Sequence, residues 1–380
     1  MTRLICATAL AALGATAATA GGIDRAAQRS DLIFRPGTYG EVSFSRTLPG
    51  VGGGDLPLLT SAGPVGTGAK YDRVADNFTS YGFGIKHDVN DRFSFALSGQ
   101  EDFGSDIEYD GDPQATNLGG TSAIADTYAL TFIGRYKLTE NVSLHAGLRR
   151  DVADGTITLG GLAYGPVNGY RVRLSEDAGY GYLIGGAYEI PEIALRVAVT
   201  YNSRIRHDFQ TSESIGGQSL GESGRTDVDT PQSVNIDLQT GIAAGTLLFG
   251  SIRWAEWSEF KIAPERFEGL TGSGLVTLDD STTYQIGIGR QFTENFRAST
   301  SFIYEDGGSD DLVSPLAPTD GLMAVTLGAA YRIGAAEISG GARYTWLGDA
   351  KPETGTPDVA RADFSGNDAV SFGLKLGYYF

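Results

Sequence analysis

Arg149, Arg150, Arg171 and Arg173 are the side chains of this sequence best suited to recognising a small charged group. A guanidinium is planar, permanently charged and able to donate two parallel hydrogen bonds to one carboxylate. The four are predicted to anchor a ligand carboxylate from inside the fold, with Arg253 and Arg343 as further inward candidates. A structural alternative stands beside this one, in which they pair with Asp151, Glu176 and Asp177 as an electrostatic ladder. Covalent chemistry finds little support. His87, His145 and His207 are the only histidines, and their spacing is not that of metal ligands. No G-x-S-x-G elbow or serine–histidine arrangement appears in a recognisable context. The expectation is a non-enzyme without metal or cofactor.

The elements that must position these arginines read as strands. In residues 369–380, Val370, Phe372, Leu374, Leu376, Tyr378 and Phe380 share one face, and small, polar or charged residues share the other. Such an apolar strip would be an aggregation-prone edge in a soluble protein. It is accounted for if lipid covers one face and a polar lumen the other. The same alternation recurs at 79–86, 128–137, 284–289 and 338–346. Tight turns fall at 89–91, 139–141, 191–192, 244–245, 293–295 and 334–335. Longer connections fall near 47–75, 104–122, 163–170, 211–229, 263–276, 306–320 and 349–362. Six short and seven long connections predict an all-β, fourteen-stranded antiparallel transmembrane β-barrel, with short turns and both termini on the periplasmic side. The third strand, 93–103, ends in Gly99, Gln100, Glu101, Asp102, Phe103 and Gly104. Polar residues between glycines mark either a kink or the exit into a loop.

The ends divide the chain further. Arg3, the apolar run 4–13 and Ala18-Thr19-Ala20 predict a signal peptide over 1–20, hence the outer membrane of a Gram-negative cell. Cys6, the only cysteine, falls within it, so the mature chain has no thiol chemistry. Residues 21–36, with Ile23, Asp24, Arg25 and Gln28, are predicted to form a hatch, the alternative being a disordered tail. Residues 37–380 form the barrel. A net charge of −17 argues against nucleic acid. The acidic residues collect between strands, as solvated loops or as sites bridged by divalent cations to surface lipid phosphates.

An ordered set of segments resembles the FadL/TodX family of outer-membrane transporters for long-chain fatty acids and other hydrophobic compounds. It comprises Thr230-Pro231-Gln232-Ser233, Arg253-Trp254-Ala255-Glu256-Trp257-Ser258-Glu259-Phe260 and Tyr284-Gln285-Ile286-Gly287-Ile288-Gly289. Phe296-Arg297-Ala298, Tyr304-Glu305, Ser314-Pro315 and Pro318-Thr319-Asp320 complete it. The resemblance implies a porin-like barrel plugged by the N-terminal hatch. It also implies a lateral gap at the kinked third strand, through which a hydrophobic ligand leaves passively into the membrane. Phe34, Leu56, Leu58, Leu59, Leu312 and Leu316 would supply apolar capture contacts. The sequence departs from better-known members in its shorter hatch, without an N-P-A element, and in a third external loop too short for a helical hairpin. A smaller plug is expected. The implied partners are hydrophobic small molecules such as fatty acids, outer-membrane lipid and lipopolysaccharide, and the barrel-assembly machinery acting on the terminal strand. The chain is expected to be a monomer. A general diffusion porin for small polar solutes, or a non-transporting structural or binding barrel, is the alternative.

Overall fold

The computed structural model describes residues 23–26, 28, 30–60, 63–65, 67–308, 311–355 and 358–380. The predicted signal peptide lies outside them. Fourteen antiparallel strands close into a barrel. They are β1 (Tyr39–Gly50), β2 (Phe78–Asp88), β3 (Phe93–Gln100, resuming at Gly104–Glu108), β4 (Ser122–Lys137) and β5 (Val142–Leu159). Then come β6 (Tyr170–Ile190), β7 (Leu195–Asn202 and Ile205–Ile215), β8 (Gly224–Thr230 and Ser233–Ala243) and β9 (Thr246–Ala255). The last are β10 (Ser281–Gln291), β11 (Phe296–Glu305), β12 (Leu322–Ile333), β13 (Ala336–Leu347) and β14 (Asp368–Tyr379). Closure is a full ladder between β1 and β14, from Tyr39 opposite Tyr379 to Gly50 opposite Asp368.

Alternation explains why the ladder closes with lipid outside. On β14, Phe372, Leu374, Leu376 and Tyr378 are exposed, joined across the seam by Val42 and Phe44 of β1. The inward residues of the same two strands bond one another: Tyr39 Oη donates to Glu41 at 2.9 Å, Lys375 lies 3.4 Å from Glu41, and the Thr47 and Ser371 hydroxyls are 3.0 Å apart. Hydrocarbon offers no hydrogen bonds, so only a closed sheet satisfies every backbone group at that depth. The lumen carries further pairs, Arg135–Glu189 and Arg297–Glu337.

β6 departs from simple alternation at a bulge, and one connection departs from its expected length. On β6, Ser175 and Glu176 face a single residue of β5, because Ala153 pairs with Asp177 while Gly155 pairs with Leu174. An extra residue on one strand is a bulge, and it exchanges the faces beyond it. Tyr180, Tyr182 and Ile184 therefore point out below the bulge, and Arg171 and Arg173 point out above it. The connection expected over 211–229 is shorter than the sequence suggested. Strand extends to Ile215 and resumes at Gly224, with Gln218–Ser219 pairing inside the hairpin.

The largest apolar core lies toward the long loops. Tyr71, Tyr109, Leu118, Tyr170, Phe209, Phe267 and Phe364 are buried there, with the short helix α1 (Glu265–Thr271) contributing Phe267. The loops tie together through polar bonds: Tyr71 Oη donates to Asp55 at 2.6 Å and Tyr109 Oη donates to the Pro315 carbonyl at 2.9 Å. Burial, then the bond to Asp55, pushes the Tyr71 phenol far up, which keeps it a donor. A smaller core lies toward the short turns, where the 3-10 turn Asp31–Phe34 buries Leu32 and Ile33 against Tyr39, Ala96, Ile133 and Leu183.

Candidate functional site

β3 breaks at 101–103, and the consequence falls on its neighbour β2. The β2–β3 ladder runs only from Gly82 opposite Gln100 to Asp88 opposite Ser94. Residues 78–81 of β2 therefore have no ladder partner on that side, while the resumed part of β3 pairs with β4. Above the break the strands are tied again by a bridge between Ala75 and Ile107 and by Asp76 N–H donating to the Asp106 carbonyl at 2.8 Å. The result is an interruption of the β2–β3 ladder with paired backbone on either side of it.

The N-terminal segment supplies from inside the bonds that β3 gives up. Asp24 bridges Phe103, Arg25 N–H donates to the Asp102 carbonyl at 2.9 Å, and Gly104 N–H donates to the Ile23 carbonyl at 2.8 Å. Asp24 takes a bidentate contact from Arg253 across the lumen, at 2.6 and 3.2 Å. Gln28 accepts from Ser233 Oγ at 2.6 Å, where β8 resumes after Pro231. Phe34 ends the segment between the guanidinia of Arg135 and Arg196, each 4.6 Å from its ring. Together these contacts tie the N-terminal segment to β3, β9, β8, β4 and β7.

On the long-loop side of this segment lies an apolar cavity with about 850 Å³ of empty space, its open mouth included. Ile23 and Phe103 form its floor, Trp257, Phe260 and Phe209 its sides, and Leu316 its far wall. Trp257 is fully buried and meets Phe103 edge to face at 5.4 Å. An almost wholly apolar lining of this kind suits the hydrocarbon part of a small organic molecule. Among the described lining residues the titratable groups are Asp154 and His207, and no lysine or arginine lines it. His207 stacks on Phe209 and lies 3.4 Å from both Asp151 and Asp177.

This placement redistributes the residues singled out from sequence. Arg149 is buried and pairs with Asp102 beneath the break, beside a smaller polar cavity lined by Gln28, Ser98 and Asn202. Arg150, Arg171 and Arg173 do not face the lumen but are exposed on the outer surface. Arg150 follows an inward neighbour on a strand, and Arg171 and Arg173 lie beyond the β6 bulge. Arg343 is inward and donates to Thr326 Oγ1 at 3.0 Å. Of the expected capture residues only Leu316 lines the cavity. Phe34 belongs to the plug, Leu56, Leu58 and Leu312 are half-buried in loops, and the Leu59 side chain lies outside the described residues. Trp257, Phe260 and Phe209 were missed as lining. Trp257 and Phe260 lie in the connection after β9, where solvated residues are the norm, and Phe209 is an inward residue of β7.

Comparison with known proteins gives a consistent answer. A family profile described as "Outer membrane protein transport protein (OMPP1/FadL/TodX)" matches residues 51–380. No curated protein sequence matches. Among solved structures, a Pseudomonas aeruginosa FadL homologue is similar with a TM-score of 0.72 at 15% identity, covering 92% of each chain. The Pseudomonas putida toluene transporter TodX is similar with a TM-score of 0.63 at 12% identity, covering 96% of this chain and 98% of that one. The Ralstonia pickettii toluene transporter TbuX gives 0.60 at 12% identity, with 90% of each chain covered.

Proposed function

Because the chain belongs to the outer membrane protein transport family (OMPP1/FadL/TodX), we propose that it is a passive channel for uncharged hydrophobic molecules. They rest in the apolar cavity and leave sideways through the window between β2 and β3. The observation that carries this reading is the contact of one apolar cavity with both the plug residue Ile23 and the broken strand residue Phe103. Each methylene or ring carbon buried there contributes about 0.8 kcal/mol. An unpaired carboxylate costs several kcal/mol to desolvate, and the described wall holds no lysine or arginine to offset it. Small aromatic hydrocarbons, the class carried by the toluene transporters it resembles in fold, fit better than fatty acids, whose chains the cavity accepts but whose head groups it does not.

The orientation proposed puts the short turns in the periplasm and the long loops outside. Arg150, Arg171 and Arg173 then face lipopolysaccharide phosphates, the terminal strand serves recognition by the assembly machinery, and the chain works as a monomer. The test is uptake of the neutral probe N-phenyl-1-naphthylamine by cells with and without the protein, alongside liposome swelling in sucrose. Faster probe uptake with slow swelling is expected. Rapid sucrose entry with unchanged probe uptake would reject the reading in favour of a general porin.

A further inference from the structure

The window is occupied. Asp24 and Arg25 are neighbours, yet their side chains go opposite ways, Asp24 across the lumen to Arg253 and Arg25 into the wall. The Arg25 guanidinium donates to Asp106 at 2.5 Å and lies 3.8 Å from both Glu101 and Asp126. It also lies 4.8 Å from the ring centroid of Phe78, on the unpaired stretch of β2. Glu101 in turn accepts from Ser80 Oγ on that stretch at 2.9 Å. One side chain thus touches both sides of the break and the strand beyond it, while only 7% exposed. Gly104 makes room: a Cβ there would sit 2.2 Å from Arg25 Nε.

We propose that Arg25 with Glu101, Asp106 and Asp126 forms a charge filter in the window, which passes neutral hydrophobic molecules and turns back anionic amphiphiles. The proposal rests on lateral exit as read above. Arg25 is the stopper: a ring cannot pass while the guanidinium bridges β2 to β3. When it swings aside, the passage is edged by three carboxylates. A neutral aromatic crosses such an edge at modest cost. A carboxylate or sulfonate meets like charge in a low-dielectric setting, where repulsion is poorly screened. Of these four side chains only Arg25 carries a positive charge, so the filter's two halves separate by mutation.

The test uses the full chain in cells, with N-phenyl-1-naphthylamine and its anionic counterpart 8-anilinonaphthalene-1-sulfonate as probes. Arg25→Ala should raise neutral uptake by about fivefold or more and leave anionic uptake low. Adding Glu101→Gln, Asp106→Asn and Asp126→Asn should raise anionic uptake toward the neutral rate. Equal neutral uptake by wild type and Arg25→Ala, both folded by heat-modifiable gel mobility, would overturn the stopper. Anionic uptake unchanged by the three neutralising substitutions would overturn the filter. A wild type that carries neither probe would overturn the transport reading instead. In that case closure is still read by labelling Ser105→Cys with a maleimide borne on a phospholipid headgroup, which reaches the protein only from the bilayer. Faster labelling in the Arg25→Ala background supports the stopper, and an equal rate refutes it.

Discussion

The wall from β10 to β14 and the wall from β2 to β4 follow the same alternation but satisfy their backbones differently. In the first, each strand is laddered on both sides, from Thr283 opposite Glu305 through to Trp346 opposite Asp368. In the second, β3 forfeits its bonds to β2 above Gly82, and the N-terminal segment replaces part of them from the lumen. A laddered wall can only be a barrier. On the proposed reading, a wall held by side chains and a separate segment opens without unzipping a strand, since the bonds to be broken are few.

That contrast is broken most severely at Gly104. Gly104→Val leaves no room for Arg25, so it should expel the guanidinium and strand three carboxylates together. Lipid-side labelling of Ser105→Cys should then match or exceed that in Arg25→Ala. Asp24→Ala comes next. It leaves Arg253 buried without its bidentate partner, a change costing about 3–5 kcal/mol when a buried pair loses one member. The plug should undock, read as increased single-channel conductance in planar bilayers. Ser371→Ala, in the seam of the regular wall, removes one hydroxyl contact with Thr47 and should cost about 1 kcal/mol of stability. Its unfolding midpoint in urea should fall slightly while probe uptake stays unchanged. Smallest is Arg171→Ala with Arg173→Ala, for which we expect no change in ligand affinity by equilibrium titration, since both point away from the cavity.

The legibility of the sequence follows the same division. Strands such as β14 and β10 were readable because nothing interrupts their period of two, and the tight turns between them were equally plain. The arginines show where reading failed. Arg149 and Arg150 are adjacent, so the pleat alone forbids both from facing the lumen. Arg171 and Arg173 needed knowledge of the bulge at Ser175 and Glu176, which reverses the faces of β6 and has no clear signal in its residues. The cavity was hidden for another reason. Ile23, Phe103, Trp257 and Leu316 come from four distant segments, and only closure of the barrel brings them together. Arg25 belonged to the expected hatch, but its route through the wall depends on the side chain Gly104 lacks.

The central claim is that the cavity selects neutral hydrophobic molecules because no lysine or arginine among the described residues faces it. Toluene and benzoate are nearly isosteric and differ by one charge, so their relative affinity is the direct measurement. A variant carrying Trp254→Phe and Trp346→Phe retains only Trp257, whose ring stands in the cavity wall and reports occupancy by fluorescence. Toluene should bind at least about a hundredfold more tightly than benzoate at neutral pH, the factor set by desolvating an unpaired carboxylate. Benzoate binding as tightly as toluene would contradict the account.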